Sequence, residues 1–463
     1  MNLKLNMIDW KSQSFRIILV ASLCQFSVSM ILNCMHVMLP QISTELNIPI
    51  SSLNWITIIF LMTLLAFSIP VSRNIGHRGI KSSMKLASYG IIIGLILNAG
   101  CISIELFFFS RIIQGLAIAI LNVCMYMIII LGIPQNKVGY ALGFTSSSGY
   151  VSMLIAPTLS GFITHYLGWR FVFIFMIIIF IFQLILMRLI DEDWKTTKKP
   201  IDLSGSIIYI FFICFLVYGL SSITEGGFIF FIIAVILSIV LVKIEKNKKN
   251  NLLNFDLFKN IRYVVGNYSA MVCHVISFTV NYVLSIYLQV VMGLDAHYAG
   301  LMMMITPIIM VIVSPYAGRL ADYKDPCTLS IFGMLLMGLC MVLLGIAQLY
   351  PFIMICVALV VRGLGHGIFS APNSKYVLSE ISEEDLADAS ALLSSSKEFG
   401  RILSLAIFNI ICLVVMNNVP LEDNVGGFSS SMSIMMAVTV IFAVSSVLLL
   451  TISKFYSKRE NVV

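Results

Sequence analysis

The sequence predicts an all-α membrane protein, a bundle of about 14 transmembrane helices. It divides into two pseudo-symmetric six-helix halves with two further helices inserted between them. Three observations predict this. Of the 463 residues, 59% are hydrophobic and 11% charged, against about 25% charged in soluble domains, so the chain lacks the polar surface of a water-soluble fold. The apolar residues come in blocks long enough to cross a bilayer, which takes about 20 residues per helix. Polar residues inside those blocks recur at one offset between the two halves of the chain.

At roughly 33 residues per crossing with its loop, about fourteen crossings use up the chain. No room is left for a soluble enzymatic or nucleotide-binding domain. The first six blocks fall at 15–38, 53–72, 84–103, 107–131, 140–164 and 170–190, within an N-terminal half spanning 1–190. The inserted pair, 203–222 and 227–244, lies with its linkers in 191–250. The last six, at 264–291, 298–317, 328–348, 351–375, 390–416 and 432–453, form a C-terminal half over 251–463. The first block follows Lys4 and Lys11 and has Arg16 at its very start. It is too long for a secretory signal and no small-residue cleavage site follows it, so it reads as a retained span. Glu380, Glu383, Glu384, Asp385 and Asp388, in one of three longer polar connections, read as solvated surface rather than a metal site.

The net charge is +7, and its distribution speaks to topology. Basic residues gather at Arg73, Arg78, Lys81 and Lys85, at Lys195, Lys198 and Lys199, at Lys243, Lys246, Lys248 and Lys249, and at Lys454, Lys458 and Arg459. With the N-terminus inside, all of these fall on the cytoplasmic face. The outer loops then hold Arg170 against Glu45, Glu225, Asp295, Glu422 and Asp423. The positive-inside rule therefore predicts a multi-pass plasma-membrane protein with both termini cytoplasmic. The basic excess belongs to membrane lipid and topology, not to nucleic acid. The chain has neither a Gly-x-x-x-x-Gly-Lys loop nor a His-Glu-x-x-His pattern, so it is expected to be no enzyme and to hold no metal or cofactor. Its ten cysteines show no Cys-x-x-Cys spacing, and they and the 26 methionines read as packing.

The repeat shows in the polar residues. Ser22, Gln25, Ser29 and Asn33 lie on one face of the first helix. His274, Ser277, Asn281 and Ser285 of the ninth block each follow by 252 positions. Arg111 and Arg362 are 251 apart, as are Gly149 and Gly400, and Gly115 and Gly367 are 252 apart. Parallel halves so related place a solute site at their interface near mid-membrane, which is transporter architecture.

Polar side chains within lipid turn toward protein or a wet cavity. The serines of both stripes serve helix–helix hydrogen bonding as well as they would serve a cavity. Gln25, Asn33, His274 and Asn281 read as cavity lining, with Phe278 and Tyr282 beside them to stack on an aromatic or cationic solute. Arg111 lies inside an apolar block, where a guanidinium is costly unless partnered, so it marks function, and Arg362 shares the argument. Lys397, Glu398 and Arg401 fit a cytoplasmic-interface cluster slightly better than a buried site. Gly143, Gly149, Ala156, Pro157 and Gly161 in the fifth block, and Gly363, Gly365 and Gly367 in the twelfth, permit close packing, and Pro157 a bend.

Several short motifs stand in a specific order. Arg111, Gln114 and Gly115 form Arg-x-x-Gln-Gly in the fourth block; Ala156, Pro157 and Gly161 follow, then Gly168, Trp169 and Arg170. Asp202, Leu203 and Gly205 open the seventh block, and Tyr287, Leu288, Gln289, Gly293, Ala299, Gly300 and Pro307 come next. Gly318, Arg319, Leu320, Ala321 and Asp322 give Gly-x-Leu-Ala-Asp, before Arg362, Gly363, Gly365, Pro372 and Asn373. In this order, over nearly the whole chain, the sequence resembles the major facilitator superfamily, specifically its fourteen-span drug:proton antiporter branch. There are departures. Ala156 and Ser160 replace two glycines of the antiporter motif, and Ser72 and Gly76 replace a Gly and an Asp of the first half's cytoplasmic signature, though Gly79 survives. The first span's usual aspartate, nine residues before Pro40, is Ile31, and the nearby Asn33 is neutral.

The resemblance implies a major-facilitator-type bundle working by alternating access as a monomer. Its partners would be a small-molecule solute, protons and membrane lipids. The activity implied is efflux of amphipathic or cationic compounds driven by inward proton flow. Arg111, with Gln114, would sense or relay protonation; Gly318, Arg319 and Asp322 would latch the cytoplasmic side; Pro157 and Gly161 would let a helix bend. His36, His274 or Glu398 would titrate in place of the missing aspartate. One alternative is a facilitator or exchanger of one metabolite or lipid, which the missing acid favours. Another is a non-transporting sensor that kept the fold, which the lack of long cytoplasmic domains disfavours.

Overall fold

Backbone groups in blocks this apolar find no water to bond, so each block closes its hydrogen bonds internally as a helix. The computed structural model describes residues 12–46, 50–195, 202–222, 226–246, 248, 252, 254–346, 351–416 and 424–460. The helices of the first half are α1 (Gln13–Leu46), α2 (Ile50–Arg78), α3 (Ile80–Ala99), α4 (Ile104–Gly132), α5 (Val138–Leu167) and α6 (Trp169–Leu186). The inserted pair is α7 (Leu203–Ser221) and α8 (Phe228–Lys246). Then come α9 (Ile261–Thr279), α10 (Ala296–Met303), α11 (Ile305–Tyr323), α12 (Pro326–Gly345), α13 (Pro351–Leu378), α14 (Leu386–Met416) and α15 (Val425–Glu460). Two π-helical segments carry α9 on to Val291, and α10 and α11 share one crossing.

Among the described residues, 13 helical segments are long and apolar enough to span a membrane. The remaining long helix is α5, interrupted by Gly, Ser and Thr. It is packed between α1 and α11, and small residues are what such a helix needs to let its neighbours approach. A multi-pass membrane protein results, with α5 packed among the 13 candidate spans of the described residues.

Within the first half α1 packs on α5, and α4 on α2 and α3; within the last, α13 packs on α11 and α12, and α9 on α14. Two seams join the halves, α5 against α11 and α2 against α14. An offset of about 251 residues carries α2 onto α11 and α5 onto α14, so the repeat converts one seam into the other. The α7–α8 hairpin stands beside this core, touching it through α7 on α2 and α14. Its base is fixed where Asp202 accepts from the Gly205 amide at 3.0 Å and Lys248 bridges Asp202 and the buried Glu245. At the end of the bundle opposite the termini, Gly168 adopts φ +95°, which allows α5 to turn into α6. There the Trp169 indole donates to Glu45 at 2.6 Å and Arg170 pairs with the same carboxylate.

Candidate functional site

A cavity of about 240 Å³ lies between the halves. α1 contributes Gln25, Ser29 and Asn33 to its wall, and α9 contributes His274, Ser277, Phe278 and Asn281, so both polar stripes open on one space. The glycine pair explains how. A Cβ at Gly149 of α5 would sit 3.0 Å from Gln25 and Ser29, and one at Gly400 of α14 would run into the Met271 backbone beside His274. Each glycine lets its helix close on α1 or α9 at the level of the polar stripe.

The two walls differ in chemistry. The first half offers neutral groups: Gln25, Ser29, Asn33, Asn122 and the phenols of Tyr126 and Tyr150. The second half offers cations. Arg362 is 1% exposed, and its Nη2 donates to the Ser277 carbonyl at 2.9 Å, while Nε and Nη1 have no partner among the described residues. His366, four residues on, places Nδ1 2.9 Å from Ser277 Oγ and meets the Tyr150 ring edge-on at 5.7 Å. The His274 ring lies 5.8 Å from that of His366. Lys397 donates to the Tyr126 hydroxyl at 2.6 Å and to Ser374 Oγ at 3.2 Å. Glu398 and Arg401 pair with each other at 3.0 Å.

Three expectations from sequence need correction. Asp388, read as solvated surface, is buried, because it accepts from Ser72 of α2 where α14 meets that helix. Lys397, Glu398 and Arg401 line the cavity instead of an interface. The reason is that α14 starts at Leu386, which carries these residues about three turns into the helix. Tyr282 does not line the cavity; it is 41% exposed and packs edge-on against Phe408. It sits in the π-helical segment Val280–Leu284, where α-helical spacing from His274 and Ser277 no longer sets which face a residue takes.

The remaining candidates lie elsewhere. Arg111 is buried outside the cavity lining, donating to Gln114 Oε1 at 2.8 Å, touching the Met35 sulfur, and held between the Phe60 and Phe107 rings at 5.7 and 5.4 Å. Pro157 and Gly161 sit farther along α5, with Gly161 facing Val37. Gly318 and Gly139 cross in close contact where α11 meets α5 at the termini end. Asp322 there accepts from the amides of Gly139 at 2.7 Å and Tyr140 at 2.9 Å, and from Lys375 at 2.5 Å. An acid at the first turn of a helix is held by both amides and dipole. Arg319 is half-buried nearby. The His36 side chain, and Lys198, Lys199, Glu225, Glu422 and Asp423, lie outside the described residues.

His366, Tyr126 and Tyr150 are cavity groups that motif reading passes over. A signal existed for the cationic wall. The positions 251 on from Phe60, Phe107 and Gln114 are Val311, Ala358 and Gly365. Arg362 therefore lacks the aromatic faces and the amide that hold Arg111, and it stands in the cavity wall instead.

Two helical halves of membrane-spanning length that share a polar cavity have the architecture of a membrane carrier. The chain belongs to the Major Facilitator Superfamily, whose family model matches residues 21–405 and again 267–462. It is a secondary transporter of that fold, not an enzyme. It is similar to the riboflavin transporter RibZ of Clostridioides difficile (strain 630), at 25% identity over 379 residues, 80% of this chain and 82% of that protein. It is also similar to the lincomycin resistance protein LmrB of Bacillus subtilis (strain 168), at 26% over 312 residues, 65% of this chain and 64% of that protein. Its fold matches the crystal structure of a bacterial homologue of the iron transporter ferroportin in its outward-facing state. That match has a TM-score of 0.69 at 11% identity, covering 96% of this chain and 99% of the other.

Proposed function

We propose that this chain is a carrier of one polar metabolite, working as a monomer in the plasma membrane with both termini in the cytoplasm. The observation that carries the reading is the makeup of the cavity wall: amides and phenols on one side, Arg362 and Lys397 on the other. Attraction and repulsion between charges are strong where water is scarce, so these cations oppose entry of the cationic drugs that the sequence resemblance implies. The likeness to a riboflavin transporter supports a metabolite as cargo. With the seams held at the termini end by Asp322 and by Ser72 and Asp388, the solute enters from the outer side. Release of those contacts then exposes the cavity to the cytoplasm. The solute drives this exchange only to the extent that it binds the two states differently.

A second reading, proton-coupled export of amphipathic compounds, is favoured by the Ala156–Pro157 and Gly161 segment of α5 and by the likeness to LmrB. In it Arg111 relays protonation and His36, His274 or Glu398 titrates. Proteoliposomes given a panel of metabolites and dyes, with and without an uncoupler, decide between them. Saturable flux of a narrow set of polar metabolites that survives the uncoupler is expected. Broad efflux of cationic dyes that stops with the uncoupler selects the second reading.

A further inference from the structure

Resting on that carrier reading, we infer that the solute is an organic oxyanion, a carboxylate or phosphate whose negative end docks between Arg362 and Lys397. The cavity's charged side chains are Arg362, Lys397, Glu398 and Arg401. Glu398 is taken by Arg401. No carboxylate among the described residues lies within ion-pairing distance of Arg362 or Lys397, so two cations in a membrane interior face each other's space uncompensated. Such charges are costly to hold in low dielectric without an opposite charge.

The free donors fit an oxyanion. Arg362 has one hydrogen bond, to Ser277, and buried Nε and Nη1 without a partner. A planar guanidinium edge of this kind takes carboxylate or phosphate oxygens in pairs. Lys397 uses two of its three donors, on Tyr126 and Ser374. Arg111 supplies the contrast. It too lacks an acid, but Gln114, the Met35 sulfur and two aromatic faces surround it, and it does not reach the cavity. The opposite wall then selects the rest of the solute. The amides of Gln25, Asn33 and Asn122 suit a neutral portion that both gives and accepts hydrogen bonds.

The test loads proteoliposomes bearing the full chain with a total small-molecule cell extract and identifies, by mass spectrometry, the solutes lost faster than from protein-free vesicles. Carboxylates or phosphates are expected to be lost, and the spectra tell the two apart. Arg362→Gln and Lys397→Gln should each slow that loss on the order of tenfold or more. Arg362→Lys, which keeps the charge without the planar edge, should slow it less than Arg362→Gln. Should Arg362→Gln not fold, as judged by its thermal unfolding, Lys397→Gln carries the test alone. Loss of neutral or cationic solutes only, or loss of anions unchanged in both neutral variants, overturns the inference while leaving the carrier reading intact. If no solute is lost at all, the carrier reading fails and this inference with it.

Discussion

Ser72 of α2 donates a hydrogen bond to Asp388 of α14 at 2.8 Å, and Arg73 stands 3.5 Å from the same carboxylate. On the other seam the acid sits on the opposite partner, as Asp322 of α11 holds the first turn of α5. The sequence departure at Gly76, which removes an acid from α2, is thus matched by an acid on the helix that α2 meets. Two seams related by the repeat are closed by the same kind of bond with its polarity exchanged.

Removing either acid should loosen the termini end. Asp322→Asn takes the charge from two backbone amides and leaves Lys375 buried beside a neutral group, at a cost of about 2 kcal/mol to the closed state. Asp388→Asn also leaves Arg73 beside a neutral group, but it keeps an acceptor for Ser72 and sets no amide against a backbone N–H, as Asp322→Asn does, so it should cost less. Spin-label distances between the starts of α5 and α14 and the ends of α11 and α2 measure this. Longer distances are expected in both variants, with the larger shift for Asp322→Asn, and the reverse order refutes the assignment of Asp322 as the stronger latch.

Glycine along α5 separates close crossing from mere smallness. A Cβ at Gly139 would strike the Gly318 carbonyl, whereas one at Gly161 has Val37 at an ordinary 3.5 Å. Gly139→Ala should therefore cost about 1–3 kcal/mol through overpacking, while Gly161→Ala stays within about 0.5 kcal/mol. Thermal unfolding in detergent compares the two. Equal loss in both would mean that the family motif around Gly161, not the seam, carries the requirement.

These positions show what the chain alone discloses. Helix number, the offset of the halves and the meeting of two polar stripes follow from composition and period, because lipid forces every polar group to one side of its helix. Depth does not follow in the same way. Lys397 reads as interfacial only because α14 extends several residues before its apolar block, and polar first turns are invisible to hydropathy. Orientation fails at Tyr282 for another reason, since a spacing of four is read as one face of a regular α-helix and the chain turns π-helical at Val280–Leu284. The cationic wall was written in a contrast between halves, Gln114 against Gly365, that shows only when each residue is compared with its mate.

Acid should reveal the corner at the far end. Arg170, and then the Trp169 indole, hold the Glu45 carboxyl below its ordinary range by hydrogen bonding to its ionised form. A carboxyl lowered in the folded state contributes stability above its unfolded value, ~4.3, and loses that contribution as pH falls through the folded value. The unfolding midpoint of the wild type should accordingly decline with acid over this window more steeply than that of Glu45→Gln. Both partners are part-exposed, so the difference is small. Identical acid profiles would mean that the pair is screened away.

Arg111 offers the sharpest separation of structure from mechanism. Its guanidinium is 2% exposed, its Nε has no partner among the described residues, and its neighbours are an amide, a sulfur and two rings. A charge buried without an acid does not repay its desolvation, and apolar replacements of similar size at such places are commonly neutral or stabilising. Arg111→Met should then unfold at the same temperature as the wild type or higher. Under the proposed relay role its transport should nevertheless fall by about tenfold or more, a loss of at least ~1.4 kcal/mol from the productive cycle, because no neutral side chain can bias the halves by its charge. Gln114→Leu should show the same split more weakly, as it removes one hydrogen bond and keeps the charge. If Arg111→Met instead lowers the unfolding temperature and transport in proportion, the residue is an anchor between α1, α2 and α4, and the relay must be sought among the histidines of the cavity.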